Sequence, residues 1–340
     1  MTTTRHPATG EVALKFPSSR PSPRDSRPDP VDNAELRPSP HEESSMPLAV
    51  SLIAPSSYTA PEAIDAGIRG LEALGAEVRC DEPLQTPRRY LAGSREHRLA
   101  QLHAAFDDPE TRAVWAVRGG YGAAQLVDGI DWSRLVRSNK PLIGYSDVTV
   151  LLDHCHRHGV PAIHGPVAKA ATGVLEGEAD QREIVLRQFE ETLALIQGPT
   201  SLDYPLAPYK DAPATLEGSV VGGNLATLAS LIGTPAGFRA PPGSLVILED
   251  VGEPYYRLER ALWQLVHGGA LDRAAAVCLG TFEGCRPYDD TPLEAIVAET
   301  LAPLGLPLYT GLPSGHGLHN RPWRYGATGR IAGNRLTIDG

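Results

Sequence analysis

The stretch "KPLIGYSDVTVLLDHCHRHG", residues 140–159, passes from an apolar triplet through Gly-Tyr-Ser-Asp into a run with helical spacing that stops at Gly159. It reads as a buried strand, a sharp turn and a helix, and it puts a serine where the strand gives way to the helix. A serine at such a junction either caps the helix by accepting a backbone N–H or stands exposed at the carboxyl edge of a sheet as a nucleophile. From these residues alone both readings of Ser146 stay open. Gly144 holds the −2 position of a GxSxG elbow, but Val148 holds +2, so only half of that pattern is present.

The same strand-turn-helix logic extends upstream. "PLAVSLIAPSS" (47–57) and "AVWAVRGG" (113–120) are apolar runs ending in small or glycine residues, as buried strands with functional loops do. Between them, "APEAIDAGIRGLEALGAEV" and "REHRLAQLHAAFDD" have helical spacing, with Pro61 suited to a first turn. Strands alternating with helices predict an α/β fold with an N-terminal doubly wound, mostly parallel sheet over residues 46–165, whose ligands bind at the carboxyl ends of the strands. Residues 166–215 read as a helix, "QREIVLRQFEETLALIQG", followed by a Pro-rich connector, "DYPLAPYKDAPATL". From 216 to 340 strand-like runs dominate, with helices at "NLATLASLIG" and "YRLERALWQLVHGGAL", which predicts a C-terminal mixed α/β domain. Residues 1–45 are rich in Pro, Ser and alternating charge and lack an apolar period, so they are expected to be a disordered tail. Met46 stands directly before the first strand, and the alternative expectation is that translation begins there.

Composition narrows the function classes. A formal net charge of −10 argues against a nucleic-acid backbone as partner, because neutralising phosphates takes clustered Lys and Arg. No stretch approaches 18 uninterrupted apolar residues, so no membrane span is expected. Cys80, Cys155, Cys278 and Cys285 form no CxxC pair, which points to reduced thiols in a cytoplasmic protein and away from a zinc site. No Walker loop or GxGxxG signals a nucleotide, and no cofactor or metal is expected.

Several segments could carry chemistry. In "VRGGYG" (117–122) the glycines let backbone N–H groups approach an anion, and Arg118 could meet a substrate carboxylate; a tight turn with a surface Arg is the plain alternative. In "LVILEDVGEPYYRLERALWQL" (245–265) a strand runs into Glu249 and Asp250, from where a carboxylate could orient an imidazole. Glu253, Arg257, Glu259 and Arg260 read as a solvated or bridging charge cluster. In "GLPSGHGLHNRPWRYG" (311–326) His316 sits between glycines, with His319 close by, as a turn residue or a general base. His154, His156 and His158 are read as favourable charges at a helix C-terminus rather than metal ligands.

Taken in order, "VRGGYG", "IGYSDVT", "LEGSVVGGNLATLASLIGTP", "LVILEDVGEPYYRLERALWQL" and "GLPSGHGLHNRPWRYG" closely resemble the LD-carboxypeptidase family of serine peptidases, S66, over residues 47–340. The resemblance implies a Ser–His–Glu triad of Ser146, His316 and Glu249 assembled between two domains. It implies an oxyanion hole made by the backbone N–H of Asp147 and that of Gly120 or Gly119, with Gly120 favoured. The implied substrate is a small peptide, murein tetrapeptide, cut between meso-diaminopimelate and terminal D-alanine in peptidoglycan recycling. Arg118 and Tyr121 are candidates for substrate binding, and a homodimer is suggested by the resemblance alone. Trp323 and Arg324 depart from the smaller or apolar residues common in the family beside the histidine. Within the family, a microcin C immunity-type peptidase acting on aminoacyl-nucleotide conjugates is the alternative, for which Tyr121, Trp263 and Trp323 could offer an aromatic platform. A binding protein without turnover is the reading from another class, and an intact Ser, Glu and His speak against it.

Overall fold

The computed structural model describes residues 47–340; both expectations for residues 1–45 and for a start at Met46 lie outside the described residues. The first half of the chain alternates β1 (Leu48–Ile53), α1 (Pro61–Ala73), β2 (Ala76–Arg79), α2 (Arg95–Asp107), β3 (Ala113–Ala116), α3 (Trp132–Ser138), β4 (Leu142–Gly144), α4 (Thr149–Arg157) and β5 (Ala162–His164). β1 pairs in parallel with both β2 and β3, β3 with β4, and β4 with β5, giving the order β2-β1-β3-β4-β5. In such a doubly wound sheet the crevice lies beyond the carboxyl ends of the strands, at the switch between β1 and β3. All six residues of β1 are buried, because helices cover both faces.

Alternation along the strands sorts the core. Val50, Leu52, Trp115, Ile143 and Ile163 face one side, under α1 and α5 (Ala179–Gln197), where Trp115 stacks on Phe189 at 5.7 Å. Ile53, Val114, Ala116, Leu142 and Ala162 face the other, and their cluster runs without a break into the core of the second half.

That half contains β6 (Leu202–Pro205), β7 (Ala207–Pro208), β8 (Thr215–Asn224), α6 (Leu225–Ser230), β9 (Ser244–Val251), α7 (Tyr255–His267), β10 (Ala274–Glu283), α8 (Leu293–Leu301), β11 (Leu308–Thr310), β12 (Trp323–Arg324), β13 (Thr328–Ala332) and β14 (Arg335–Ile338). Its sheet runs β6-β14-β13-β8-β9-β10-β11-β7, parallel from β8 to β11 and antiparallel outside them. β12 belongs to neither group: it pairs antiparallel with β5 and closes the edge of the first sheet. The segment between β11 and β12 therefore runs from one sheet to the other, and it carries His316.

One sequence expectation is corrected here. The helix expected over 60–78 ends at Ala73, because Gly75 takes φ +83°, a backbone that glycine adopts without strain, and Ala76–Arg79 then pairs with β1 as a strand. Within the Pro-rich connector, β6 and β7 form the two outer edges of the second sheet, positions where a proline's missing N–H costs no ladder bond.

α1 lies close against residues 168–171. A Cβ on Gly70 would stand 2.0 Å from the Ala171 carbonyl oxygen, and one on Gly67 would stand 2.6 Å from that of Ala168. Gly70→Ala gains helix propensity of about 1 kcal/mol, yet it forces the helix off its seat. A net loss of about 1–3 kcal/mol is expected in urea denaturation; a stabilised variant would show that α1 does not need this approach.

Candidate active site

β4 delivers Ser146 on a sharp corner. Ser146 takes φ +63° and opens a single 3₁₀ turn, Ser146–Val148, that feeds α4. A non-glycine residue there stores about 1–3 kcal/mol of strain and persists only where its surroundings over-determine it. Gly144 permits the corner: a Cβ on it would lie 2.9 Å from the Val148 side chain, so the residue at +2 packs onto the residue at −2. The capping reading finds no support, since neither the 3₁₀ turn nor α4 has a side-chain cap hydrogen bond.

Glu249 and His316 meet. Glu249 lies near the end of β9 with no exposed surface, and its Oε2 is 2.6 Å from His316 Nδ1 and accepts the His316 backbone N–H at 3.1 Å. With Nδ1 held by the carboxylate, the network assigns Nε2 as the ring nitrogen free to take a proton. Asp250 points to the opposite face, as strand alternation requires. It accepts from Ala226 N at 2.9 Å and from Asn224 Nδ2 at 3.2 Å, which makes it a fastener for the start of α6. Burial pushes its carboxyl up to about 6.

A β-bulge makes room for the histidine loop. In β10, Leu279 pairs with Leu248 and Phe282 with Asp250, so Gly280 and Thr281 together oppose Glu249. The freed Thr281 N–H donates to the Ser314 carbonyl at 2.9 Å, and Thr281 Oγ1 donates to the His316 carbonyl. Gly280 and Gly315 are the two contacts where a side chain would not fit: added Cβ atoms would stand 2.3 Å from Ser314 O and 2.6 Å from Glu249 Cβ. Asn320 Oδ1 accepts Gly315 N at 3.0 Å, closing the loop on itself.

The "VRGGYG" loop lies beside the serine. A Cβ on Gly119 would stand 2.8 Å from Ser146 Cβ and 3.3 Å from the Asp147 N. Gly120 has φ +115°, and its position faces Ser57 Oγ, which accepts the Tyr121 N–H at 3.0 Å. Arg118 turns back on the main chain, donating Nε to Gly119 O at 3.1 Å and Nη1 to Tyr58 O at 3.0 Å. Tyr121 is 53% exposed and meets Tyr90 edge-on at 5.4 Å. The side chain of Asp147 is buried and accepts Ala123 N at 2.9 Å; burial raises its carboxyl above the ordinary range, opposed by that N–H and by Arg98.

Other expectations fall elsewhere. His319 is exposed and lines a cavity with Arg321 and Arg335. His154 and His158 stack with Trp132, the latter at 4.4 Å, and among the described residues no three His, Cys, Asp or Glu side chains gather to hold a metal. Trp323 has no exposed surface and donates Nε1 to Ser314 Oγ at 3.1 Å, so it is a wall behind the histidine loop rather than a ligand platform. Arg324 donates to the Leu195 carbonyl at 2.6 Å. Tyr145 and His164 escaped the sequence reading. The Tyr145 ring lies 4.8 Å from that of His316, and its hydroxyl is pushed up to about 12, chiefly by burial, so it stays neutral. His164, at the end of β5, is fully buried between Trp323 at 4.8 Å and Tyr145 at 6.0 Å. The signal available for it was "PAIHGPV", one more apolar strand ending at the carboxyl edge of the sheet.

This fold and site define a hydrolase class, and the comparisons agree. Residues 50–165 match the LD-carboxypeptidase N-terminal domain and residues 217–331 the LD-carboxypeptidase C-terminal domain. The chain belongs to the LD-carboxypeptidase family. It is 46% identical over 290 residues, 84% of this chain and 94% of the relative, to the murein tetrapeptide carboxypeptidase of Pseudomonas aeruginosa. The crystal structure of muramoyltetrapeptide carboxypeptidase from Oxalobacter formigenes superposes with a TM-score of 0.74 at 28% identity, over 86% of this chain and 98% of that one. The microcin C7 self immunity protein MccF in complex with aspartyl sulfamoyl adenosine shares the fold, with a TM-score of 0.77 at 19% identity over 87% of this chain and 97% of that one.

His164 gives a pH test. Burial pushes its imidazole down to about 4, against the opposing pull of Glu249. Between that value and an ordinary pKa near ~6.5 the unfolded chain binds the extra proton. The contribution of His164 to stability is therefore full above that window and shrinks as pH falls through it, by about 3 kcal/mol in all. Asp153 and Asp250, both pushed up to about 6 by burial, act in the opposite sense, so the whole-protein curve does not isolate the histidine. The difference in unfolding free energy between wild type and His164→Gln does, and it is expected to rise with pH from 4 to 6.5; a flat difference would remove His164 as a buried neutral imidazole.

Proposed function

We propose that this chain is a serine LD-carboxypeptidase that releases terminal D-alanine from murein tetrapeptide by cleaving its amide with the L-configured centre of meso-diaminopimelate. The observation that carries this reading is the Glu249–His316 pair at 2.6 Å, whose imidazole meets the ring of Tyr145, the residue before a serine at positive φ. Residues 46–165 contribute the nucleophile and residues 216–340 the Glu and His, with residues 166–215 as the connector. Ser146 Oγ attacks the scissile carbonyl and gives its proton to His316 Nε2. Glu249 holds the ring through Nδ1 and stabilises the imidazolium that forms. The same imidazolium then protonates the departing amine of D-alanine, and water activated by His316 hydrolyses the acyl-enzyme.

Charge develops on the carbonyl oxygen in the tetrahedral intermediate. The backbone N–H of Asp147 and that of Gly120 are the proposed donors to it, and fixed donors need no reorganisation as the charge forms. Contact between Gly119 and Ser146 supports this arrangement, because only a residue without Cβ lets the two loops come so close. Arg118 and Tyr121 are proposed to meet the peptide, Tyr121 from its exposed position and Arg118 with the part of its guanidinium not committed to Gly119 and Tyr58. The chemistry needs no metal or organic cofactor. Among the described residues no helix is long and apolar enough to cross a membrane, and the four cysteines are unpaired. Free thiols fit a cytoplasmic enzyme that recycles peptidoglycan fragments. A homodimer is part of the proposal and is read by sedimentation.

The test is release of D-alanine from L-Ala-γ-D-Glu-meso-diaminopimelyl-D-Ala. Ser146→Ala is expected to lower kcat by about 10⁴-fold or more. Glu249→Gln, which keeps the shape but loses the charge and the tautomer control, is expected to lower it by about 10³–10⁴-fold. No release by folded wild-type protein would sink the murein assignment and turn the assay to aminoacyl-nucleotide conjugates, the substrates of the alternative.

A further inference from the structure

Arg98 is a buried arginine that the proposed reaction does not use. It projects from α2 with 1% of its surface exposed. Its Nη1 donates to Pro55 O at 2.6 Å and to Gly122 O at 2.8 Å, and its Nη2 donates to Gln125 Oε1 at 2.7 Å. Pro55 lies in the loop after β1, and Gly122 and Gln125 lie beyond β3, so one guanidinium ties together the two loops at the switch point of the first sheet. Gly122 makes this possible: with φ +121°, any Cβ there would stand 2.8 Å from Arg98 Nη1.

Asp147 reaches the same place from the other side. Its carboxylate accepts the N–H of Ala123 at 2.9 Å, while Arg98 donates to the carbonyl of Gly122. That carbonyl and that N–H belong to one peptide group. A buried cation holds its oxygen end and a buried anion its hydrogen end, which is the orientation in which each charge favours the peptide dipole, and hydrogen bonds to ionised groups are the strong ones. Asp147 is also the residue after Ser146, and its own N–H is a proposed oxyanion donor.

We infer that Arg98 and the Asp147 carboxylate clamp the Gly122–Ala123 peptide and so fix the spacing between the two oxyanion donors, making Arg98 a positioning residue for catalysis. The inference rests on the reading of Ser146 as nucleophile. Its consequence is selective. Loosening the clamp lets the Gly119–Gly120 segment drift from Asp147, which weakens stabilisation of the transition state, while Arg118 and Tyr121 in the same loop keep their separate ties to Tyr58 O and Ser57 Oγ.

The experiment compares Arg98→Gln, Arg98→Lys, Asp147→Asn and the Arg98→Gln/Asp147→Asn double variant in D-alanine release, each checked for folding by circular dichroism and thermal melting. Arg98→Gln is expected to lower kcat by about 100-fold, the scale of losing one oxyanion donor, with KM within about threefold of wild type. Arg98→Lys, which keeps the charge but not the fork, is expected to recover part of the loss. In the Ser146→Ala background, Arg98→Gln is expected to leave peptide affinity measured by calorimetry unchanged. Because both ends of the clamp act on one peptide, the double variant is expected to be no slower than the slower single variant. A folded Arg98→Gln enzyme with wild-type kcat, or losses that multiply in the double variant, would overturn the inference while wild-type turnover leaves the site reading standing. If wild type releases no D-alanine, the same variants are compared on an aminoacyl-nucleotide conjugate; no turnover of either substrate by folded wild type overturns the site reading and this inference with it. Should Arg98→Gln not fold, the milder Arg98→Lys and Asp147→Asn pair decides by the same kcat and coupling criteria.

Discussion

The structure turns on one carboxylate with no exposed surface. Glu249 is fully buried, and a buried charge is tolerable only if paired and hydrogen-bonded. Oε2 alone takes both the backbone N–H and the ring Nδ1 of His316, so the carboxylate fixes the loop and the imidazole together. Most of what surrounds it follows from that demand. The bulge in β10 gives two residues opposite one, which lifts a carbonyl-binding N–H toward Ser314 and leaves a gap over Glu249. Glycines 280 and 315 keep that gap free of side chains. The histidine is thus placed by a defect in a regular sheet rather than by a flexible loop.

The second constraint is that the members of the proposed triad come from different parts of the two sheets. Ser146 follows a strand of the first sheet and Glu249 lies near the end of a strand of the second, while His316 lies on the chain that crosses between them. Two devices hold that crossing to a register. Behind the histidine, β12 pairs with β5 and buries Trp323 against His164. Beneath it, Thr149 Oγ1 at the start of α4 accepts the Asn224 N–H at 3.2 Å, tying the helix after Ser146 to the end of β8, beside Glu249. A continuous apolar core joins the halves below these polar contacts. Hydrophobic burial makes the halves adhere, and the directional contacts decide where.

Much of this was legible from the residues, for reasons that also explain what was not. The strand-turn-helix at 140–159 and the carboxylates after "LVILE" could be read because burial and periodicity write themselves locally into sequence. Which of Glu249 and Asp250 faces the histidine could not be read without the register of the pleat. The bulge was hidden because "CLGTFEG" looks equally like a strand with a turn. β12 was hidden because two residues carry no period, and Trp323, taken as a surface feature, is core because the chain returns to the first sheet there. β2 was absorbed into its helix since "LEALGAEV" consists of helix formers, and Gly75 was the overlooked stop. Ser146 itself stayed ambiguous, because a cap and a nucleophile share one local pattern and differ only in backbone angle.

That backbone angle connects the two halves of the argument. A serine at φ +63° is held against its own preference, so some other interaction must supply the restraint. Its neighbours on both sides are fastened: the Tyr145 ring packs on His316 and on His164, and the Asp147 carboxylate is bonded to the Gly122–Ala123 peptide. The corner is therefore pinned by the histidine loop on one flank and by the glycine loop on the other. These are the two segments whose positions relative to the serine matter for the proposed proton transfer and oxyanion hole. Strain at Ser146 and order in the two loops are then one mechanical fact: the contacts that hold Ser146 in an unfavourable conformation are the contacts that set the distances the proposed chemistry requires.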